Sequence, residues 1–142
     1  DLDRMKGLLK LFSDVFEEPE TYQAAVPSDD YLTRLLGKDS FFAQVAEQDH
    51  QIIGGLAAYE LVKFEQERSE IYIYDLAVDE DYRRQGVATD LIRHLQERAA
   101  QSGAWVVFVQ ADYVDDPAVA LYSKLGIREE VLHFDLPLPH VN

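Results

Sequence analysis

The residues best equipped for chemistry lie within Tyr74–Thr89, which reads Y-D-L-A-V-D-E-D-Y-R-R-Q-G-V-A-T. An apolar strand runs into a short acidic turn, and a basic loop with one glycine then opens an amphipathic helix. Leu91, Ile92, Leu95 and Ala99 follow the spacing of one helix face. A helix start carries unpaired backbone N–H groups and the positive end of the helix dipole, so it attracts anions. In the loop Arg83-Arg84-Gln85-Gly86-Val87-Ala88-Thr89, Gly86 lets an anion approach the backbone, Ala88 keeps the next turn open, and two arginines add charge. The pattern predicts a phosphate-bearing ligand. It is not a Walker loop, because no Gly-Lys-Ser/Thr follows, and not a dinucleotide fingerprint, because it holds a single glycine.

The elements that must position this loop are legible along the chain. Leu2, Met5, Leu9, Phe12 and Phe16 predict a first helix over residues 2–16, and Pro19 to Pro27 reads as a loop. Ser28 is placed to cap a short helix that stops at Gly37. Ser40–Glu47 and Gln51–Val62 read as strands joined by Gln48-Asp49-His50, with a bulge expected at Gly54-Gly55. Ser69–Val78 is a third strand, Gly86–Gln101 a helix and Trp105–Ala111 a strand. Asp115 and Asp116 precede Pro117, and Gly126 follows Leu125, which marks a helix over Pro117–Leu125. Arg128–Leu136 reads as a last strand. The order is α-α-β-β-β-α-β-α-β, an α+β pattern.

Composition narrows the function. A chain of 142 residues with 47% hydrophobic residues suits one soluble globular domain, residues 1–142. No run approaches the ~18–20 apolar residues of a membrane helix, and no signal peptide opens the chain, so a cytoplasmic location is expected. Zero cysteines exclude disulfides, thiolate metal sites and a cysteine acyl-enzyme. His50, His94, His133 and His140 show no ligand spacing, so no metal is expected. A net charge of −14 disfavours nucleic acid and anionic membranes and favours polycations.

The basic loop, with Leu76-Ala77-Val78 ahead of it, resembles the acyl-coenzyme A pyrophosphate loop of the GNAT superfamily of N-acetyltransferases. A second element agrees. Asp115–Ile127 is similar to the last helix of that fold, matching at Ala118, Leu121, Tyr122, Leu125 and Gly126. Asp115 stands where Asn is usual and Ile127 where Phe is usual. The resemblance implies a GNAT fold: a mixed, mostly antiparallel sheet splayed in the middle, with helices on both faces. Such a domain begins with one more strand, so the first strand is expected to be missing from this chain, trimmed or lying upstream of Asp1.

The resemblance also implies a site. Acetyl-coenzyme A would be the cosubstrate, its pantetheine paired with backbone around Leu76, Ala77 and Val78. Its pyrophosphate would lie on Arg83, Arg84, Gln85, Gly86, Val87, Ala88 and Thr89, with Asp115, Ala118 and Tyr122 alongside. Tyr122 matches the tyrosine that protonates the leaving sulfur. With no cysteine, direct transfer to a neutral amine is the simplest mechanism, and the base must be a carboxylate. Asp75 interrupts an apolar strand, and Asp112 ends the neighbouring one; either can act as base, directly or through water, or hold a substrate ammonium.

Segments outside the coenzyme motif narrow the likeness. Ala57-Ala58-Tyr59, Lys63–Gln66, Arg68–Val78, Val109–Tyr113 and Gly126–Glu130 together resemble the aminoglycoside 3-N-acetyltransferases of the GNAT type. These acetylate the 3-amino group of 2-deoxystreptamine antibiotics such as gentamicin and confer resistance. The resemblance implies a polycationic aminoglycoside as partner, neither nucleic acid nor membrane, and a homodimer formed through the C-terminal strand. Glu65, Glu70, Tyr74, Asp75, Asp112, Asp115 and Asp116 are the expected substrate-binding residues, joined by Glu67, and carboxylates there suit ammonium groups. Glu129 and Glu130 could contribute. Two rivals stand beside this reading: an acetyltransferase for another amine, such as a polyamine or a protein N-terminus, and a non-catalytic acyl-coenzyme A sensor.

Overall fold

The computed structural model describes residues 1–17 and 26–139. These fall into two compact units, 1–110 and 111–142, and each is described by itself.

In the first unit, α1 (Leu2–Phe16) begins where the Asp1 carboxylate accepts the Arg4 N–H. Helix α2 (Asp29–Leu36) begins where Ser28 Oγ accepts the Tyr31 N–H, and it stops at Gly37, as the sequence predicts. Of the loop expected over Pro19–Pro27, residues 19–25 lie outside the described residues. Strands β1 (Phe41–Gln48) and β2 (Gln51–Val62) form a hairpin. Asp49 and His50 turn it with φ of 52° and 65°, the positive pair that a two-residue hairpin turn requires. Strand β3 (Ser69–Val78) pairs antiparallel with β2, and after helix α3 (Val87–Gln101) strand β4 (Ala104–Val109) pairs parallel with β3. The sheet order is β1-β2-β3-β4, mixed and mostly antiparallel. Strand β4 is shorter than the expected Trp105–Ala111, because pairing with β3 ends at Ile73 opposite Val109.

Adjacent glycines in β2 show how the helices bracket the sheet. A Cβ on Gly54 would meet Val87 Cγ1 of α3 at 2.9 Å, whereas one on Gly55 would collide with Leu8 Cδ1 of α1. Successive strand residues point to opposite faces, so α1 and α3 cover opposite faces. One layer buries Met5, Leu8, Leu11 and Phe12 with Leu32, Phe41, Ala57 and Ala77. The α3 side buries Leu91, Ile92, Leu95 and Ala99, the four residues whose spacing predicted that face. Buried Gln44 ties β1 to α3, donating to the Leu91 carbonyl at 3.0 Å and accepting from Arg98 at 3.2 Å.

The bulge expected at Gly54-Gly55 falls one residue earlier. Ala46 faces Gly54 but Glu47 faces Ile52, which leaves Ile53 as the extra residue. The glycines instead answer the close approach of Leu8 and Val87.

In the second unit, α4 (Asp116–Leu125) starts with Pro117 in its first turn and an Asp115 cap to the Ala118 N–H at 3.3 Å. The strand expected over Arg128–Leu136 does not form: residues 127–138 carry no regular structure and are exposed. Apolar alternation there records what the segment could bury, but a strand forms only against a paired neighbour, and no ladder reaches it among the described residues.

Gly55→Ala tests the close packing. The added Cβ meets Leu8 Cδ1 and, at 2.7 Å, the Gln44 carbonyl oxygen. Leu8 would have to leave its packed rotamer and the Gln44 oxygen cannot retreat without moving the β1–β2 ladder, so a loss of roughly 1–3 kcal/mol is expected in urea unfolding.

Candidate active site

The basic loop is shaped by its backbone. Asp79 N–H donates to the Ile53 carbonyl at 2.7 Å, carrying β3 one residue past its end. A single 3₁₀ turn, Glu80–Tyr82, follows, capped by the Asp79 carboxylate on the Asp81 N–H. Arg83 Nε donates back to the Val78 carbonyl at 3.3 Å, so this arginine pins the loop to the strand end as well as adding charge. Arg84 and Gly86 take φ of 64° and 81°, which turns the chain into α3. The N-cap position is Gly86, with no side-chain hydrogen bond to the first turn. The opening N–H groups of α3 therefore stay available at an exposed helix start. A Cβ built on Gly86 meets nothing within 4 Å, so the space over this backbone is open to a ligand and a side chain would intrude on it.

Strand β3 supplies the second half of the site. Residues Ser69–Ile73 are paired on both sides, by β2 and by β4. From Tyr74 onward only β2 remains as partner among the described residues, which is the expected splay. At the point of parting lies a bulge: Ala57 faces Asp75 and Ala58 faces Ile73, leaving Tyr74 as the extra residue. Leu76, Ala77 and Val78 follow, opposite Leu56, Gly55 and Gly54, with their outer edge unpaired by β4. Bare backbone polar groups on a strand edge can take an extended amide chain, and the helix start one turn later can take a pyrophosphate. The residues present therefore fit acyl-coenzyme A: Leu76–Val78 would hold the pantetheine and Arg83–Thr89 the phosphates.

The expected acidic residues divide between the two units. Glu65 and Glu70 stand either side of Lys63, whose Nζ lies 3.3 Å from one and 3.6 Å from the other. Glu65 sits below the ordinary carboxylate range, first through a backbone hydrogen bond, then, against some desolvation, through Lys63. Part of the charge expected to face a substrate is thus already answered within the loop. Asp112, Asp115 and Asp116 belong to the second unit and are exposed; Asp115 also spends an oxygen on its helix cap. Glu130 accepts from Tyr113 Oη at 2.8 Å and Arg128 at 2.7 Å. Tyr122 is half-buried on α4, its phenol pushed up to about 12 by desolvation first and by the Asp115 charge second. It therefore stays protonated throughout the physiological range.

Sequence reasoning missed the surroundings of Tyr74. Tyr72 Oη donates to Gln110 Oε1 at 2.9 Å, and its ring stacks on Phe108 with centroids 4.7 Å apart. Tyr74 meets the rings of Tyr59 and Tyr72 edge-on, each at 5.9 Å. The signal was present in the alternation of Tyr72 and Tyr74, which puts two aromatic residues on one strand face when read at period two.

Comparison with known proteins agrees with this geometry. The acetyltransferase (GNAT) family profile matches residues 5–127. The chain belongs to that family, and its four-stranded mixed sheet is part of a GNAT fold. Within the family it is similar to an aminoglycoside acetyltransferase from an uncultured soil metagenomic sample, at 56% identity and TM-score 0.95, covering 97% of this chain and 92% of that one. A second aminoglycoside acetyltransferase from such a sample, solved with sisomicin, is 36% identical with TM-score 0.88, covering 97% and 90%. Among curated relatives, the ribosomal protein bS18-alanine N-acetyltransferase of Escherichia coli (strain K12) is 32% identical over 63 residues, or 44% of this chain. That match spans 43% of the relative's length, under half of it.

The loop geometry yields a direct test. Gly86→Asp sets a side chain and a negative charge in the open space over the helix start, and adds about 1–2 kcal/mol of strain at a positive φ. Coenzyme A binding, measured calorimetrically, should fall at least ten-fold while circular dichroism shows the fold retained.

Proposed function

We propose that this chain is an acetyl-coenzyme A-dependent aminoglycoside 3-N-acetyltransferase, a single domain over residues 1–142. It would transfer acetyl directly to the 3-amino group of 2-deoxystreptamine antibiotics such as gentamicin, giving resistance in the cytoplasm. The observation that carries this reading is the 56% identity to an aminoglycoside acetyltransferase over 97% of the chain, far beyond the coenzyme loop. The sisomicin complex of the second relative supports the same substrate class. A net charge of −14 favours a polycationic acceptor.

In this reading acetyl-coenzyme A supplies an activated acyl group, and the chain's own residues do the rest. Backbone N–H groups along Leu76–Val78 would donate to the negative charge that develops on the acyl oxygen. Asp112 or Asp75 takes the proton of the attacking amine, or holds a neighbouring ammonium. Tyr122 Oη holds the proton for the leaving sulfur. A phenol near 12 surrenders that proton reluctantly, so its contribution begins as a hydrogen bond to the growing charge. Asp115 and Ala118 flank the coenzyme, and Glu65, Glu70, Tyr74 and Asp116 meet the antibiotic's outer rings. The exposed alternation of Leu132, Phe134, Leu136 and Leu138 supports a homodimer closed through this segment.

Tyr122→Phe should lower kcat about 10²-fold while leaving coenzyme affinity nearly intact. Because burial raises this phenol, loss of its protonated form should depress kcat only as pH rises towards about 12, with no change from this residue between pH 6 and 9.

Acceptor choice decides the function. Acetyl-coenzyme A consumption should be brisk with gentamicin or sisomicin and low with spermidine, with an alanine-ended peptide or without acceptor. NMR of the product should place one acetyl group on the 3-amino nitrogen. The apparent KM for gentamicin should rise steeply with ionic strength, since charges across a solvated site are screened over roughly 8–10 Å. Acetylation at another nitrogen would change the regiochemistry; turnover of the peptide alone would move the chain to protein N-terminal acetylation.

A further inference from the structure

The bulge of β3 gathers groups that no part of the coenzyme site uses. Tyr74 is the residue the bulge leaves over, and its ring packs edge-on against Tyr72 of its own strand and Tyr59 of β2. Asp75 lies opposite Ala57 in the ladder, and directly opposed residues share a face. Tyr59, two residues along β2 from Ala57, points the same way. The bulge thus brings Tyr74 and Asp75, neighbours in sequence, to one side of the sheet. Electrostatics agree: the Asp75 charge helps raise the phenols of both Tyr59 and Tyr72, behind desolvation and the neighbouring Tyr74. Tyr59 and Tyr72, raised in this way, stay neutral at physiological pH and present electron-rich rings rather than phenolates.

The rings are held and yet open. Phe108 stacks under Tyr72, Gln110 fixes its hydroxyl, and Phe41 lies 5.3 Å from Tyr59. Tyr74 nevertheless keeps 63% of its surface exposed and Tyr59 38%. Large, oriented aromatic surface beside a carboxylate matches the recognition of cations, which favour ring faces and charged oxygen acceptors together.

We infer that Tyr59, Tyr72, Tyr74 and Asp75 form an ammonium-reading subsite that orients a polycationic amino sugar for acetyl transfer. The inference rests on the acetyltransferase reading above and deepens it. The rings take the C–H face or an ammonium of one sugar ring, while the carboxylate takes a protonated amine. Asp75 is then an anchor, which leaves the reacting amine's proton to another group.

Kinetics with gentamicin test this. Tyr74→Leu keeps the bulk of an exposed side chain but removes the ring, and KM should rise about ten-fold with kcat within about two-fold. Tyr74→Phe, which restores the ring face without the hydroxyl, should recover most of that loss. Asp75→Asn should also raise KM with kcat largely kept. As a readout independent of turnover, ring-labelled tyrosine NMR of the parent chain is followed during titration with 2-deoxystreptamine. The Tyr74 signal, assigned from the Phe variant, should shift and saturate. An unchanged KM in Tyr74→Leu, or equal losses in the Leu and Phe variants, overturns the subsite, as does a kcat collapse in Asp75→Asn with KM unmoved. Tyr74 signals that stay still while gentamicin is acetylated overturn it too. No turnover of any aminoglycoside beside a saturating Tyr74 shift would instead remove the aminoglycoside reading and leave the ammonium subsite standing.

Discussion

Strand β3 must satisfy its backbone on both edges for half its length and on one edge for the rest, and the site depends on that change. Through Ile73 it lies between β2 and β4. Beyond Tyr74 no strand pairs with the β4 edge among the described residues, although Arg83 Nε takes the Val78 carbonyl, and polar backbone groups seek partners whenever they leave water. A parallel neighbour that stops short therefore leaves a strand-shaped vacancy of donors and acceptors. The vacancy runs directly into the 3₁₀ turn and the uncapped start of α3. In the proposed reading, amide-chain recognition and phosphate recognition would share one continuous run of backbone, Leu76 to Thr89, with little demand on side chains.

Keeping that run in place requires the helices to sit tightly on β2. Gly54 and Gly55 admit Val87 and Leu8 at distances that a Cβ would forbid. Val87 is the first residue of α3, so contact at Gly54 fixes where the helix start lies against the sheet. Gln44 holds the same helix further along, at the Leu91 carbonyl. The Asp79–Ile53 hydrogen bond and the Arg83–Val78 hydrogen bond close the loop onto the strand ends. Packing and hydrogen bonding converge on the loop from three elements, which places a ligand-facing backbone on a rigid base.

Local chemistry was legible in the sequence, and pairing was not. Caps at Ser28 and Asp115, the stops at Gly37 and Gly126, and the apolar face of α3 all depend on residues within a few positions of one another. The bulge at Ile53 and the early end of β4 depend on register between distant segments, which a single strand's pattern does not contain. Arg128–Leu136 shows the limit most clearly: a pattern fit for a strand is irregular, and no ladder reaches it among the described residues. Among the expected site residues, the basic loop Arg83–Thr89 follows directly on the end of β3 and opens α3. The carboxylates were named one by one, but the partners that answer their charge were not legible, because Lys63 bridging Glu65 and Glu70 is a three-dimensional fact.

That bridge alters how the acidic character of the chain acts. Exposed ion pairs contribute about 0–1 kcal/mol each, so Lys63 does little for stability, but it removes charge from the face it occupies. Arg128 does the same at Glu130. A surplus of fourteen negative charges draws polycations from a distance, yet beyond one Debye length it cannot choose among them. Choice must come from short-range contacts where geometry is fixed. On the first unit such contacts concentrate at the β3 bulge, where register sets Asp75 on the tyrosine face and stacking sets the tyrosines. The bulge is what sets Asp75 there: without the extra residue, the register that places Tyr72 opposite Tyr59 would run on to put Asp75 opposite Leu56, on the α3 face and away from the tyrosines.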